Sequence, residues 1–233
     1  MTYKPSIWPP LSDGPVCVIL GAMPITPEEG QDIASIADRF LICADAGVDN
    51  ARRHGLAADL VLGDFDSLEG GAAAAGEGAL TYAVEKDDTD TMLCVKEGLA
   101  RGYRRFLMYG ALGGRLDHTV ANITALRYLL DQDAEGWLMS HDNLVTMLQN
   151  GTRIYDRDDR YPHFSVFSYD KEAHGVVIKG GKYESQGVGE AHEEAGGGHS
   201  LVNSFPLGVS NSIVRDQLEL RVRDGVLLVI RAR

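Results

Sequence analysis

Short unbroken apolar runs punctuate the first two thirds of the chain: Val16–Leu20, Phe40–Ala44, Leu60–Leu62, Tyr82–Val84, Phe106–Tyr109 and Trp137–Met139. Runs of this kind suit strands buried on both faces. Segments of helical periodicity separate them, so the pattern predicts right-handed βαβ crossovers into a parallel sheet. The first helix is punctuated by Thr26, Pro27 and Glu29, which have capping-box spacing. A second is expected to begin near Asp87–Thr89 with Met92, Val95 and Leu99 on one face. A third is expected from about His118 to Leu130, with Val120, Ile123, Leu126 and Leu130 as its apolar stripe. Gly102 and Gly136 mark the exits of these two helices.

Beyond about Asn150 the texture changes. Phe164–Tyr169, Val176–Lys179, Leu218–Val222 and Val226–Ile230 are strand-like runs with no helical pattern between them, and Asp224-Gly225 reads as a hairpin turn. The chain is therefore expected to divide into an α/β domain over 1–148 and an all-β domain, a small sandwich, over 149–233. Residues 186–200, rich in Gly, Glu and His, read as a long loop, and residues 72–78 as a shorter low-complexity connection.

Composition narrows the function classes. The 233 residues carry a formal charge of −12, which repels phosphodiester backbones and anionic lipid surfaces. Cys17, Cys43 and Cys94 are widely spaced and flanked by apolar residues. They support neither a disulfide framework nor a metal knuckle, and Cys94 is expected to be buried packing. No stretch approaches the roughly eighteen apolar residues of a membrane span, and a cytoplasmic location is expected. His163, His174, His192 and His199 lack zinc-like spacing. Ser67 has no triad partners in sequence and reads as a turn residue; Trp8 and Trp137 read equally as core or interface anchors.

Three clusters remain as candidate chemistry. In Gly63-Asp64-Phe65-Asp66-Ser67 the two aspartates point to the same side of an extended chain, where like charges about 5 Å apart repel by about 3 kcal/mol at an effective dielectric of 20. A divalent cation relieves that repulsion. Asp45, which closes the run Phe40–Ala44, falls on the same carboxyl-terminal sheet edge, where ligands bind in parallel sheets. Lys86-Asp87-Asp88-Thr89-Asp90 opens the second helix, with Asp87 placed as a cap. It reads either as an acidic first turn or, beside Asp45, Asp64 and Asp66, as part of an oxygen-donor set suited to Mg²⁺. In Gly113-Gly114-Arg115-Leu116-Asp117-His118 the glycines admit an anion to the backbone and Arg115 suits a phosphate or carboxylate. Arg115 with Asp117 as a surface pair and His118 as a cap is the plainer alternative. Gly21, after the first strand, reads as a turn residue or as room for a nucleotide.

GDFDS, KDDTD and GGRLDH in this order and spacing, with Ala44-Asp45-Ala46-Gly47 and Val209-Ser210-Asn211-Ser212, resemble the thiamine pyrophosphokinase family over nearly the whole chain. Ala46 stands where the family often has a glycine, and residues 186–200 look like an insertion. The resemblance implies an N-terminal Rossmann-like domain binding ATP and Mg²⁺, a C-terminal β-sandwich that binds thiamine and dimerises, and a homodimer with its active site at the subunit interface. It implies transfer of the pyrophosphoryl group of ATP to the hydroxyethyl oxygen of thiamine, with release of AMP. By matching position, Asp45, Asp64, Asp66 and Asp90 resemble the acidic magnesium–pyrophosphate centre, with Asp64, Asp66 and Asp90 as metal ligands and, together with Arg115, as catalytic residues. Gly21, Asp45, Asp87, Thr89, Gly113, Gly114, Asp117 and His118 correspond to nucleotide-side residues, and Ser210, Asn211 and Ser212 to the thiamine side. A pyrophosphokinase for another heterocyclic alcohol, and a non-catalytic nucleotide or thiamine sensor, are the alternatives.

Overall fold

The structure, a computed structural model, describes residues 14–63, 79–81, 88–184 and 199–233. The expected strand Tyr82–Val84, the residues Asp64, Asp66, Ser67 and Asp87, Trp8 and His192 lie outside the described residues. The chain forms two compact units, Met1–His141 and Asp142–Arg233.

In the first unit, six strands run parallel: β1 (Val16–Leu20), β2 (Arg39–Ala44), β3 (Leu60–Gly63), β4 (Ala79–Thr81), β5 (Arg105–Tyr109) and β6 (Glu135–Met139). Their lateral order is β6-β5-β1-β2-β3-β4. The chain winds outward from β1 to β4, returns to place β5 on the other side of β1, and continues outward to β6. The strand order thus reverses between β1 and β5, and this is where such sheets leave a crevice beyond their carboxyl ends. The apolar runs became strands because their side chains are covered on both faces. Val18, Ile19, Leu20, Leu41, Ile42, Leu62, Phe106 and Leu107 are all buried.

Four helices flank this sheet among the described residues: α1 (Pro27–Ser35), α2 (Gly47–Arg53), α3 (Asp90–Ala100) and α4 (Leu116–Asp131). The α1 capping box is present in full. Thr26 Oγ1 accepts from Glu29 N–H at 3.2 Å and Glu29 Oε2 accepts from Thr26 N–H at 2.6 Å. Helix α3 is capped by Thr89, whose hydroxyl accepts from Met92 N–H at 3.2 Å, in place of the expected Asp87. Helix α4 corrects two expectations. Its core face is Asn122, Ala125, Leu126 and Leu129, while Val120 is 54% exposed. A polar residue occupies a core-facing position, so a search for apolar positions rotates the stripe. Its exit is taken by Asp133 in a left-handed conformation (φ 52°). Gly136 lies inside β6, where a Cβ would crowd the side chains of Leu126 and Leu129. Gly102 follows α3 with φ 91°, as expected. Helix α2 had no sequence signal, because its N-cap, Ala46, has no side chain to cap with.

The second unit is antiparallel throughout: β7 (Asn143–Asp156), β8 (His163–Ser168), β9 (Glu172–Lys179), β10 (His199–Val202), β11 (Gly208–Ser212) and β12 (Gln217–Ala232). Strand β12 pairs with β7 along its whole length. Its other edge is shared, by β9 against residues 219–224 and by β8 against residues 227–232. A strand that serves two partners on one edge carries the chain between the layers of a sandwich. The expected hairpin at Asp224-Gly225 is absent. Gly225 (φ 112°) sits in a bulge between the Val222–Gly151 and Val226–Gln149 pairs, and its N–H donates to Asn150 Oδ1 at 2.9 Å. The core of this unit includes Tyr155, Phe164, Val166, Leu220 and Val229. It also holds Arg231, fully buried, whose Nη2 and Nε donate to the Tyr161 carbonyl at 2.8 and 3.2 Å. Burial pushes that guanidinium down to about 10.

Candidate active site

A cleft of about 300 Å³ opens at the switch point of the first unit. Its floor comes from the loops that leave β1 (Gly21, Ala22, Met23) and β5 (Gly110, Ala111, Gly113). One wall is the end of β2, Ala44 and Asp45, with the start of α3, Thr89, Asp90 and Thr91. The opposite wall is Arg115, His118, Ala121 and Asn122 of α4 and its cap. The floor loops meet closely: Gly21 N–H donates to the Tyr109 carbonyl at 2.8 Å and Met23 N–H to the Gly110 carbonyl at 3.1 Å. A Cβ on Gly21 would come within 2.5 Å of the Gly110 carbonyl oxygen, so only glycine permits this contact.

Asp45 takes the left-handed conformation (φ 45°), tolerated best by Asn, Asp and Gly among the residues available there. Its N–H donates to the Leu62 carbonyl at 2.7 Å, which ties the end of β2 to the end of β3. A Cβ on Gly63 would lie 3.0 Å from Asp45 Cα. Gly63 thus packs against Asp45 where β2 and β3 end.

Two comparisons bear on what this cleft belongs to. Residues 35–138 match the family described as thiamin pyrophosphokinase, catalytic domain. The chain is 25% identical over 175 residues to the thiamine pyrophosphokinase of Bacillus subtilis strain 168, covering 73% of this chain and 77% of that protein. Both matches liken the chain to the thiamin pyrophosphokinase family, the first of them over the α/β unit. Solved structures of the family share the fold. The thiamine pyrophosphokinase from Bacillus subtilis superposes with a TM-score of 0.80 at 21% identity, covering 93% of this chain and 98% of that one. The protein from Geobacillus thermodenitrificans gives 0.78 at 22%, covering 94% and 97%. The yeast enzyme gives 0.72 at 14%, covering 96% and 88%. This agreement bears out the Rossmann-like and β-sandwich architecture.

Of the residues singled out in sequence, the cleft gathers Gly21, Asp45, Thr89, Asp90, Gly113, Arg115 and His118. Gly114 and Asp117 lie beside it. Gly114 takes a left-handed turn (φ 63°), and Asp117 accepts from Arg115 Nη2 at 2.5 Å and from its Nε at 3.1 Å. This pair is exposed, so its two hydrogen bonds orient the guanidinium and contribute little to stability. The Arg115 bond holds the Asp117 carboxyl below its ordinary value, and the carboxylate in turn raises the guanidinium. Asp117 Oδ1 also accepts from His118 N–H at 3.0 Å, satisfying a donor at the start of α4.

Ser210, Asn211 and Ser212 lie on β11 of the second unit. Ser210 is exposed with φ 61°, and its N–H donates to Ser165 Oγ at 3.2 Å. Asn211 is buried and serves the fold. Its Oδ1 accepts from Tyr183 N–H at 3.0 Å and its Nδ2 donates to the Tyr183 carbonyl at 2.7 Å. Ser212 Oγ shares a 2.9 Å hydrogen bond with His163 Nδ1. Sequence reasoning missed Asn50 and Asn122, whose side chains bond loop carbonyls of the cleft floor. No periodicity or spacing marks a side chain whose partner is a distant backbone atom.

Proposed function

We propose that the chain transfers the pyrophosphoryl group of ATP to the hydroxyethyl oxygen of thiamine. The acceptor oxygen attacks the β-phosphorus, the bond from the β-phosphorus to the α,β-bridging oxygen breaks, and thiamine diphosphate and AMP result. The observation that carries this reading is the cleft at the β1/β5 reversal, where Asp45 and Asp90 face a glycine-lined floor and the Arg115 wall. A floor that admits close backbone approach suits phosphates, and the pairing of carboxylates with a guanidinium suits a metal-bound polyphosphate.

The oxygen donors fit Mg²⁺, which favours one or two carboxylates together with substrate phosphates. Asp90, with Asp64 and Asp66 of the GDFDS segment, would hold the ion, which would neutralise phosphate oxygens and polarise the group being transferred. Arg115, steadied by Asp117, offsets charge on the transferred group or on departing AMP. Either Asp66 or Asp90 accepts the proton of the acceptor hydroxyl. Gly21 and Gly113 give the nucleotide its backbone approach, with Thr89 and His118 on the facing walls and Asp87 preceding α3. Ser210 and Ser212 of the second unit serve the thiamine side, with Asn211 between them fixing β11 to Tyr183, in a homodimer whose active site lies between subunits. A reducing, cytoplasmic setting suits three free cysteines. No described helix is long and apolar enough to cross a membrane.

The test is an AMP-release assay with ATP, Mg²⁺ and thiamine, with the product identified by mass. Thiamine diphosphate with stoichiometric AMP is expected. Thiamine left untouched while another heterocyclic alcohol is consumed would move the assignment to that acceptor. Tight nucleotide binding without AMP would make the chain a sensor. Asp64→Asn and Asp66→Asn should each abolish AMP formation with circular dichroism unchanged, and a folded, active variant overturns the metal role of that residue.

A further inference from the structure

Asn50 lies on α2 at 1% exposure and is not among the residues that line the cleft. Its Nδ2 donates to two carbonyl oxygens of the β1 exit loop, Gly21 and Met23, each at 2.8 Å. From the other side, Asn122 Nδ2 donates to the Ala111 carbonyl of the β5 exit loop at 2.7 Å. The two amides therefore hold three carbonyls of the floor. The place of α2 is fixed by close packing, since a Cβ on Gly47 would overlap the Leu20 carbonyl oxygen.

A carbonyl oxygen is the negative end of the peptide dipole. Turned into a cleft that receives a polyphosphate, the Gly21 and Met23 oxygens would face charge of their own sign. Asn50 draws both toward the protein interior. Its amide has two N–H donors and two carbonyls to satisfy, so the bridge leaves neither N–H idle in a buried place. An apolar residue at position 50 would fill the space and leave both carbonyls without that partner. The bridge is thus matched to a floor meant for an anion, and packing alone does not require it.

We propose that Asn50 is a positioning residue for the nucleotide, with Asn122 as its counterpart: by holding the Gly21 and Met23 carbonyls inward, it keeps the cleft floor receptive to a polyphosphate. This rests on the reading of the cleft as the ATP site. The experiment compares wild type with Asn50→Asp and Asn50→Ser in the AMP-release assay, varying ATP and thiamine separately, together with melting temperatures. Asn50→Asp keeps the shape but sets carboxylate oxygens against the two carbonyls. It should raise the KM for ATP about tenfold or more and change the KM for thiamine less than about twofold. Asn50→Ser, whose shorter donor serves at most one carbonyl, should raise the ATP KM by less. A lowered melting temperature with no split between the two KM values, measured well below melting, overturns the proposal. Should Asn50→Asp fail to fold, an unchanged ATP KM in Asn50→Ser overturns it equally. If wild type releases no AMP with any acceptor, the functional reading fails on that result alone. Calorimetric binding of Mg·ATP to the same proteins then decides: weaker binding by the variants supports the role of Asn50, and equal binding overturns it.

Discussion

Asp45 combines a backbone conformation and a charge that can be separated by substitution. Asparagine adopts the left-handed region as readily as aspartate, so Asp45→Asn should leave stability within about 1 kcal/mol of wild type while AMP release falls roughly tenfold or more. Asp45→Ala should add a stability loss of about 1 kcal/mol, because alanine tolerates a φ of 45° poorly. Denaturant titration and the AMP assay on the two proteins separate the effects. Asp45, Asp90 and Arg115 were legible because strand ends and helix starts can be located from apolar runs and caps, and ligands gather at those ends. Asn50 and Asn122 were not, since their partners are loop carbonyls 29, 27 and 11 residues away in the chain.

At the scale of elements, helix starts proved more legible than helix faces. Capping is a local bond between near neighbours, and the Thr26–Glu29 box formed as its spacing predicts. Thr26→Ala should cost about 1 kcal/mol in urea denaturation. Glu29 tells more. Burial, outweighing its hydrogen bonds to Thr26, raises its carboxyl above the usual value of 4.5. A raised folded value means that its protonation favours the fold below about pH 4.5 and that this contribution is lost as pH rises through the folded value. Glu29→Gln keeps an acceptor for Thr26 N–H and carries no charge to bury, so its stability relative to wild type should be higher at pH 7 than at pH 4. An equal difference at both pH values would show that the buried charge carries no cost. The α4 stripe was misplaced because Asn122 stands where an apolar residue was sought, and the Asp224-Gly225 turn became a bulge because Asn150 supplies its hydrogen bond from 75 residues away.

At the scale of the whole molecule, the division into an α/β and a β part was legible from texture alone, since parallel strands covered on both faces read as continuous apolar runs and the tail lacks helical periodicity. All three cysteines are free and fully buried, and burial pushes Cys17 and Cys43 up to about 12. None should react with a thiol reagent in the native protein and all three should react in denaturant. Rapid native labelling would show that the first unit opens readily. The length of β12 was hidden by its polar interruption at residues 223–225, and that strand sets the order of assembly in the second unit. It binds β7, β8 and β9, and joins Asn143 to Ala232 across most of that unit. A nascent chain halted before residue 217 would emerge with every described strand of the first unit, yet β7 would have no β12 to pair with. A premature stop there would yield a tethered, protease-sensitive tail, not a shortened sandwich.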